Sequence, residues 1–402
     1  MRTFGVEEEL LVVDPHSGRA LALADRMLAV AGRPQDMSHE FKLEQVEVQT
    51  VPCQEHDELL GALYNGRTVA DRAARACGGR IAALATSPLE VASSLTPNER
   101  FARMDREFGL IAREQLTCGL HVHVAVQSPD EGVAILDRVR EWLPLLIALT
   151  GNSPYWFGDD TGYASYRTQA WNRWPSSGPQ ELYGDAGAYR QRIDAMVATG
   201  AILDEGMAYF DARLSRLHPT VEVRVADVPL LASDSALVAI LVRALVETAA
   251  REASDGVAPL ATPVALLRLA AWRASRSGLD GDLVHPVTSL PVPAADAVDA
   301  LVGHVAALLR EAGELRRAEQ ALAELLARGT GATAQRRAAQ GTQAQGTPAQ
   351  GTQAQGTPVQ GRDLGAAVRL AIEQTVSREG TWDDGGRATL QVVRRAPGTL
   401  SA

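Results

Sequence analysis

Apolar and polar positions along this chain follow two rhythms. Side chains on a strand alternate faces with period two, and this alternation marks four stretches as strands. They are "FGVEEELLVVD" from residue 4, "HEFKLEQVEVQTVP" over 39–52, "CGLHVHVAV" over 118–126 and "PTVEVRVADVPL" over 219–230. Between them the period lengthens to that of helices. An alanine-rich amphipathic pattern predicts a helix over 55–85. Thr96, Pro97 and Glu99 predict a capping box with proline in the first turn, so that a helix delivers the chain to the third strand. Further helices are predicted over 131–150 and 233–252, with helical patterns continuing to about residue 328. Strands and helices without a regular strand-helix-strand beat predict an α+β fold rather than a doubly wound sheet.

Two stretches fit neither rhythm. Residues 151–179, "GNSPYWFGDDTGYASYRTQAWNRWPSSGP", are too long for an idle connection and are expected to cover or line a site. Residues 341–361, "GTQAQGTPAQGTQAQGTPVQG", repeat Gly-Thr every five positions and lack side chains able to build a core, which predicts a flexible insert. The expected organisation is one domain over 1–330, a low-complexity insert over 331–361, and a short helix (362–378) with a tail over 362–402.

Composition narrows the classes. The 402 residues provide ample apolar material for a core. A formal charge of -10 with no basic cluster excludes nucleic acid or an anionic membrane as the natural partner and leaves small molecules. Lys42 is the one lysine among 39 basic residues, which is read as compositional bias, with Lys42 at the surface. No stretch reaches the roughly 18 apolar residues of a spanning helix, and "MRTFGVEEEL" lacks the basic start and apolar run of a secretory signal, so a cytoplasmic location is expected. Cys53, Cys77 and Cys118 are odd in number and widely spaced, which fits reduced thiols. Trp142, Trp171, Trp174 and Trp272 are expected to pack on or cap the core.

The candidate chemistry lies on the strands. His121 and His123 share one face, while Leu120, Val122 and Val124 share the other. By the same parity Glu7 pairs with Glu9, Glu222 with Arg224, and Glu47 with Gln45 and Gln49. Glu40 stands at the entrance of its strand, Glu44 has the opposite parity, and Glu8 interrupts an apolar face. Gathering carboxylates in a sheet is unfavourable, because like charges and desolvation both penalise the ionised forms; divalent cations resolve this. Glutamates with an imidazole suit magnesium or manganese. Cys118 with the two histidines makes a poor zinc site, since no second ligand pair follows. Magnesium keeps waters and shares its sphere with phosphate oxygens, which points to a nucleoside triphosphate. With no Walker sequence and no GxGxxG, phosphate binding would rest on metals and arginines.

Taken in order, "FGVEEELLVVD", "HEFKLEQVEVQT", "CGLHVHV", "GNSPYWFGDDTGYASYR" and "TVEVRVADVPL" resemble the glutamate-cysteine ligase type 2 family of ATP-dependent carboxylate-amine ligases, within the glutamine synthetase superfamily. The likeness covers residues 4–230, continues more loosely to about 325, and leaves the Gly-Thr repeat outside. It implies a glutamine-synthetase-like α+β domain, with a largely antiparallel sheet lining a funnel-shaped site and helices packed outside. It implies ATP and Mg2+, or Mn2+, as cofactors. The implied reaction activates the γ-carboxylate of glutamate as an acyl phosphate, which the amine of cysteine then attacks.

Carried over by motif position, Glu7 and Glu9 resemble the paired acids that ligate different metal ions. Glu40 and Glu47 would complete one metal site, and His121 with Glu222 the other. His123 and Arg224 resemble contacts to ATP phosphates, and Arg167 resembles an arginine of the substrate loop, whose closure would exclude water. The Glu40 to Glu47 spacing is one residue shorter than in glutamine synthetase, which makes Glu44 the alternative to Glu40. Two rival readings stand beside this one: a metal-dependent hydrolase built on the His-x-His pair, and a nucleotide- or metal-binding module without turnover. A homo-oligomer and other acid or amine substrates are left open.

Overall fold

Alternation on the first strand places Val6, Leu10 and Val12 in the core and turns Glu7 the other way. The computed structural model that carries this detail describes residues 1–32, 36–341 and 362–378; the Gly-Thr repeat beyond Gly341 and the C-terminal tail lie outside them. Its strands are β1 (Phe4–Val13), β2 (Met37–His39), β3 (Gln45–Gln49), β4 (Arg80–Ala82), β5 (Gly119–Ala125), β6 (Tyr155–Trp156), β7 (Asp159–Asp160), β8 (Ala212–Leu214), β9 (Thr220–Asp227), β10 (Asp282–Val284) and β11 (Pro291–Pro293).

Seven of them form one sheet in the order β2-β3-β1-β5-β9-β8, with β4 also paired to β1. Every pairing in it is antiparallel. One face is apolar. Val6, Leu120, Val122, Val124, Val221 and Val223 pack into a continuous core with the helices His56–Ala76 and Ala232–Ser254. The other face carries the polar set. This is the expected α+β architecture, a mainly antiparallel sheet with helices outside it.

Several elements differ from their sequence-based expectation. The strand predicted over 39–52 is split: after β2 the chain leaves the sheet, Leu43 N bonds Ser94 O, and β3 then pairs back on β2. The helix predicted over 55–85 stops at Ala76, where Gly78 takes a φ of 87°, and the chain re-enters the sheet as β4. Residues 131–150 form two helices, Pro129–Val139 and Leu143–Thr150, because Pro144 starts the second. The helix Glu99–Phe108 is capped by Asn98, whose side chain accepts from Arg100 N and Phe101 N. Thr96 instead donates its hydroxyl to the carbonyl of Glu40. Lys42 is buried, its ammonium on the carbonyl of Arg113 at 3.2 Å, and Trp272 lies at the surface.

Glu8, which interrupts the apolar face of β1, is answered by Arg67. Both are 0 % exposed, joined at 2.8 and 2.6 Å, and Ser235 donates to the same carboxylate at 2.6 Å. Arg67 also donates to the carbonyls of Pro229 and Leu230, so the pair ties three segments together behind the sheet. Near the C-terminus the helices Gly331–Gln340 and Leu364–Thr375 pack on one another, and Val368, Ala371 and Ile372 are buried with Leu10 to Val13. Residues 331–340, read from composition as the opening of the insert, are thus the first helix of this pair. Among the described residues no helix is long and apolar enough to cross a membrane.

Candidate active site

The sheet register brings the polar residues of four strands into rows. Glu7 stands opposite His121 on one side and Gln49 on the other, Glu9 opposite Glu47, and His123 opposite Glu222. All of them line one cavity of about 470 Å3, together with Glu40, Arg213, Arg224 and the aromatic rings of Phe41, Trp171, Trp174 and Tyr209. Within it, two groups have ligand atoms within 4.8 Å of one another: Glu7, His123 and Glu222, and Glu9, Glu40 and Glu47. The second group brings Glu40 and Glu47, expected from the sequence at one metal site, together with Glu9. Glu44 has no part in it, because its carboxylate accepts from Ser94 N at 2.8 and 2.9 Å.

The first group holds His123 with Glu7 and Glu222, while His121, expected there from the sequence, lies against the same Glu7 carboxylate. The cause lies in the ladder. Leu120 pairs with Ala226 but Val122 with Val223, so β9 carries one extra residue opposite His121 and puts His123 squarely across from Glu222. His123 Nδ1 lies 3.0 Å from Thr220 Oγ1, and its Nε2 lies 3.2 Å from Glu7 Oε1 without hydrogen-bond geometry. One nitrogen anchored and the other presented is how a ligating imidazole is held. His121 contacts the same carboxylate, Nδ1 to Glu7 Oε2 at 3.2 Å, and keeps a buried Nε2 without a partner.

The two groups differ in charge balance. Burial works to raise Glu7, yet the hydrogen bond from His121 and the close imidazoles of His121 and His123 carry it well below the usual carboxylate range. Burial likewise opposes the ionisation of Glu222, and Arg224 and Arg213 overcome it. His121 is pushed down to about 4 by burial and by Arg224. In the second group all three carboxyls go up. Burial raises Glu9, burial and Glu9 push Glu40 to about 7, and burial with Glu40 and Glu7 raises Glu47 well above its ordinary value. Gly119 N donates to the Glu9 carboxylate at 2.6 Å. A site with three oxygen donors and too little positive charge fits a divalent cation such as Mg2+ or Mn2+.

Arg224 reaches Glu222 through Nη1 and has a buried Nε with no partner. Arg167, expected at the substrate, is not in the cavity. It is 2 % exposed, its guanidinium on the carbonyls of Arg224 and Val225 at 3.3 and 3.4 Å and over the ring of Trp171. Gly119 makes this approach feasible, since a Cβ there would stand 2.2 Å from Arg167 Nη2. The 151–179 segment is pinned rather than loose: Asp227 accepts from Asn152 N, Ser153 Oγ and Ser165 Oγ at 2.7 to 2.8 Å. Trp171 and Trp174 extend from it into the cavity wall. Sequence reasoning missed Asp227 and Arg213. The first stands in a quoted strand, "TVEVRVADVPL", as its lone buried aspartate; the second sits in "FDARLS", too short a strand to show a period.

To this geometry are added the likenesses of the chain to known proteins. It matches the family model described as Glutamate-cysteine ligase family 2 (GCS2) over residues 3–355. A protein of Paenarthrobacter aurescens provisionally named glutamate-cysteine ligase 2-3 is 57% identical over 340 residues, covering 84% of this chain and 80% of that one. A Streptomyces coelicolor protein provisionally named glutamate-cysteine ligase 2 is 49% identical over 340 residues, covering 84% and 94%. Among solved structures, glutamate-cysteine ligase from Francisella tularensis in complex with AMP matches with a TM-score of 0.62 at 13% identity, covering 94% of this chain and 89% of that one. A bifunctional glutathione synthetase from Pasteurella multocida matches with a TM-score of 0.65 at 15% identity; the likeness covers 93% of this chain and 52% of that one, so the chain spans about half its length. At these identities the solved structures speak for the fold.

Proposed function

Since the chain belongs to glutamate-cysteine ligase family 2, we propose that it is an ATP-dependent carboxylate-amine ligase. Its substrates in this reading are L-glutamate, through the γ-carboxylate, and the amine of L-cysteine, with ADP and phosphate released. The observation that carries the reading is the pair of cation-competent clusters on one sheet face, Glu7-His123-Glu222 and Glu9-Glu40-Glu47, in a cavity that also holds Arg224.

The donor set suits magnesium or manganese: five carboxylates and one imidazole, with the buried Nε2 of His121 as a further donor beside Glu7. When bound, such cations neutralise the charge on a transferring phosphoryl group. The chain's own groups do the rest. Arg224, with an unspent Nε, faces the anion, and Trp171 and Trp174 wall the cavity against water. A carboxylate oxygen of the acid attacks the γ-phosphorus of ATP, giving an acyl phosphate and ADP. The free amine of the second substrate attacks the acyl carbon, and phosphate leaves as the amide forms. The three free cysteines accord with a reducing cytoplasm as the place of action.

The test is ADP formation by the purified chain with MgATP and glutamate, with and without cysteine, and the mass of the product. ADP that requires both amino acids, with a product of γ-glutamylcysteine mass, is the expected result. ADP with a different acid or amine would keep the ligase and change its substrates. Hydrolysis of an amide without ATP would put the hydrolase in its place.

A further inference from the structure

Two arginines hold Glu222, and they hold it differently. Arg213 on β8 stands directly across the ladder from it. Its Nε donates to Oε2 at 2.8 Å and its Nη2 to Oε1 at 3.2 Å, a two-pronged grip that sets the carboxylate in the plane of the guanidinium. Its Nη1 donates to the carbonyls of Gly206 and Ala208 at 3.2 and 3.3 Å. All three nitrogens of Arg213 are therefore committed to protein. Arg224 touches Glu222 through Nη1, while its Nε is buried and unpartnered in the same cavity. Donors left over suit an incoming anion; donors already committed suit holding a neighbour in place.

We propose that Arg213 is a positioning residue for cation binding, presenting Glu222 in one orientation to the cluster it forms with Glu7 and His123. The inference rests on the cation-binding reading above. A small hard cation demands near-ideal ligand geometry, so a carboxylate free to rotate binds it more weakly than one held in plane. Charge alone argues the other way, because a guanidinium beside a ligand repels a cation. The lysine substitution separates the two effects: it retains the charge and gives up the fork.

The experiment is direct Mn2+ binding to the full chain, followed by the electron paramagnetic resonance signal of free Mn2+, for the wild type, Arg213→Lys and Arg213→Met. Turnover is measured alongside at saturating metal. The wild type binds two ions. Arg213→Lys weakens one of the two by about 10- to 100-fold and leaves the other, and the KM for MgATP at saturating metal, unchanged. Arg213→Met, which also removes the opposing charge, weakens the same ion by less. Wild-type affinity at both sites in the lysine variant, or tighter binding in the methionine variant, overturns the proposal. So does a rise in KM for MgATP with Mn2+ binding intact, which would make Arg213 an anion-binding group. Absence of Mn2+ binding in the wild type itself would instead remove the cation reading, and this inference with it, before any variant is compared.

Discussion

Glu47 and Glu222 face the same cavity but stand in opposite electrostatic circumstances, and this separates what their amides should do. Glu222 is balanced by Arg213 and Arg224, so Glu222→Gln leaves two buried guanidiniums undercompensated. Glu47 is crowded by Glu40, Glu7 and Glu9, so Glu47→Gln relieves repulsion. In cation-free buffer Glu222→Gln should melt at a lower midpoint than wild type and Glu47→Gln at a higher one. Both variants should lose Mg2+-dependent turnover by about 100-fold, at the upper end of what disturbing a metal site costs. Midpoints that move together would contradict the charge balance described here. Most of these residues were legible in the sequence, because a glutamate or histidine at period two in an apolar strand is conspicuous. That His123 rather than His121 stands across from Glu222 was not, since the extra residue in β9 leaves no mark on the alternation. Arg67 was hidden for another reason: its partner Glu8 lies 59 positions away on a different element.

Among elements, the 151–179 segment was recognisable by length and composition, yet its attachment was not. It is held at Asp227 from below. From behind, the helix Gly331–Gln340 holds it through Gln335 on Asn152 at 2.7 Å and Arg336 on Asp160 at 2.8 Å. These are contacts between residues more than 170 positions apart, which no local pattern encodes. The same helix pair bears on the Gly-Thr repeat. Asp363 N bonds Ala339 O at 2.9 Å, so the chain leaves and returns at nearly the same point. Replacing residues 342–361 with a short turn should therefore preserve fold and keep turnover within about twofold, since closing a shorter loop costs little. Loss of most turnover in a folded deletion variant would give the repeat a role that the two helices do not explain.

At the scale of the whole molecule, one antiparallel sheet divides the protein into an apolar core and a charged cavity, and α+β architecture was readable because the two faces of each strand differ in kind. One buried carboxyl outside that cavity leaves a signature in stability against pH. Burial pushes the carboxyl of Asp211 up to about 7 from an ordinary 3.8, against the pull of Arg268 and Arg167. Between those values the folded chain holds a proton that the unfolded chain has released. Its contribution to stability is thus complete at low pH and lost as pH rises toward 7, by up to about 1.4 kcal/mol per pH unit. Asp211→Asn should flatten that part of the curve in urea unfolding; an unchanged slope would place the titration elsewhere.

Whether this cavity activates a carboxylate by phosphorylation is decided by following oxygen. The chain is given MgATP, cysteine and glutamate with 18O in both carboxylates, and the released phosphate is analysed by mass. An acyl phosphate transfers one carboxylate oxygen to phosphorus, so one 18O is expected in each phosphate formed. Unlabelled phosphate accompanying ADP would contradict it.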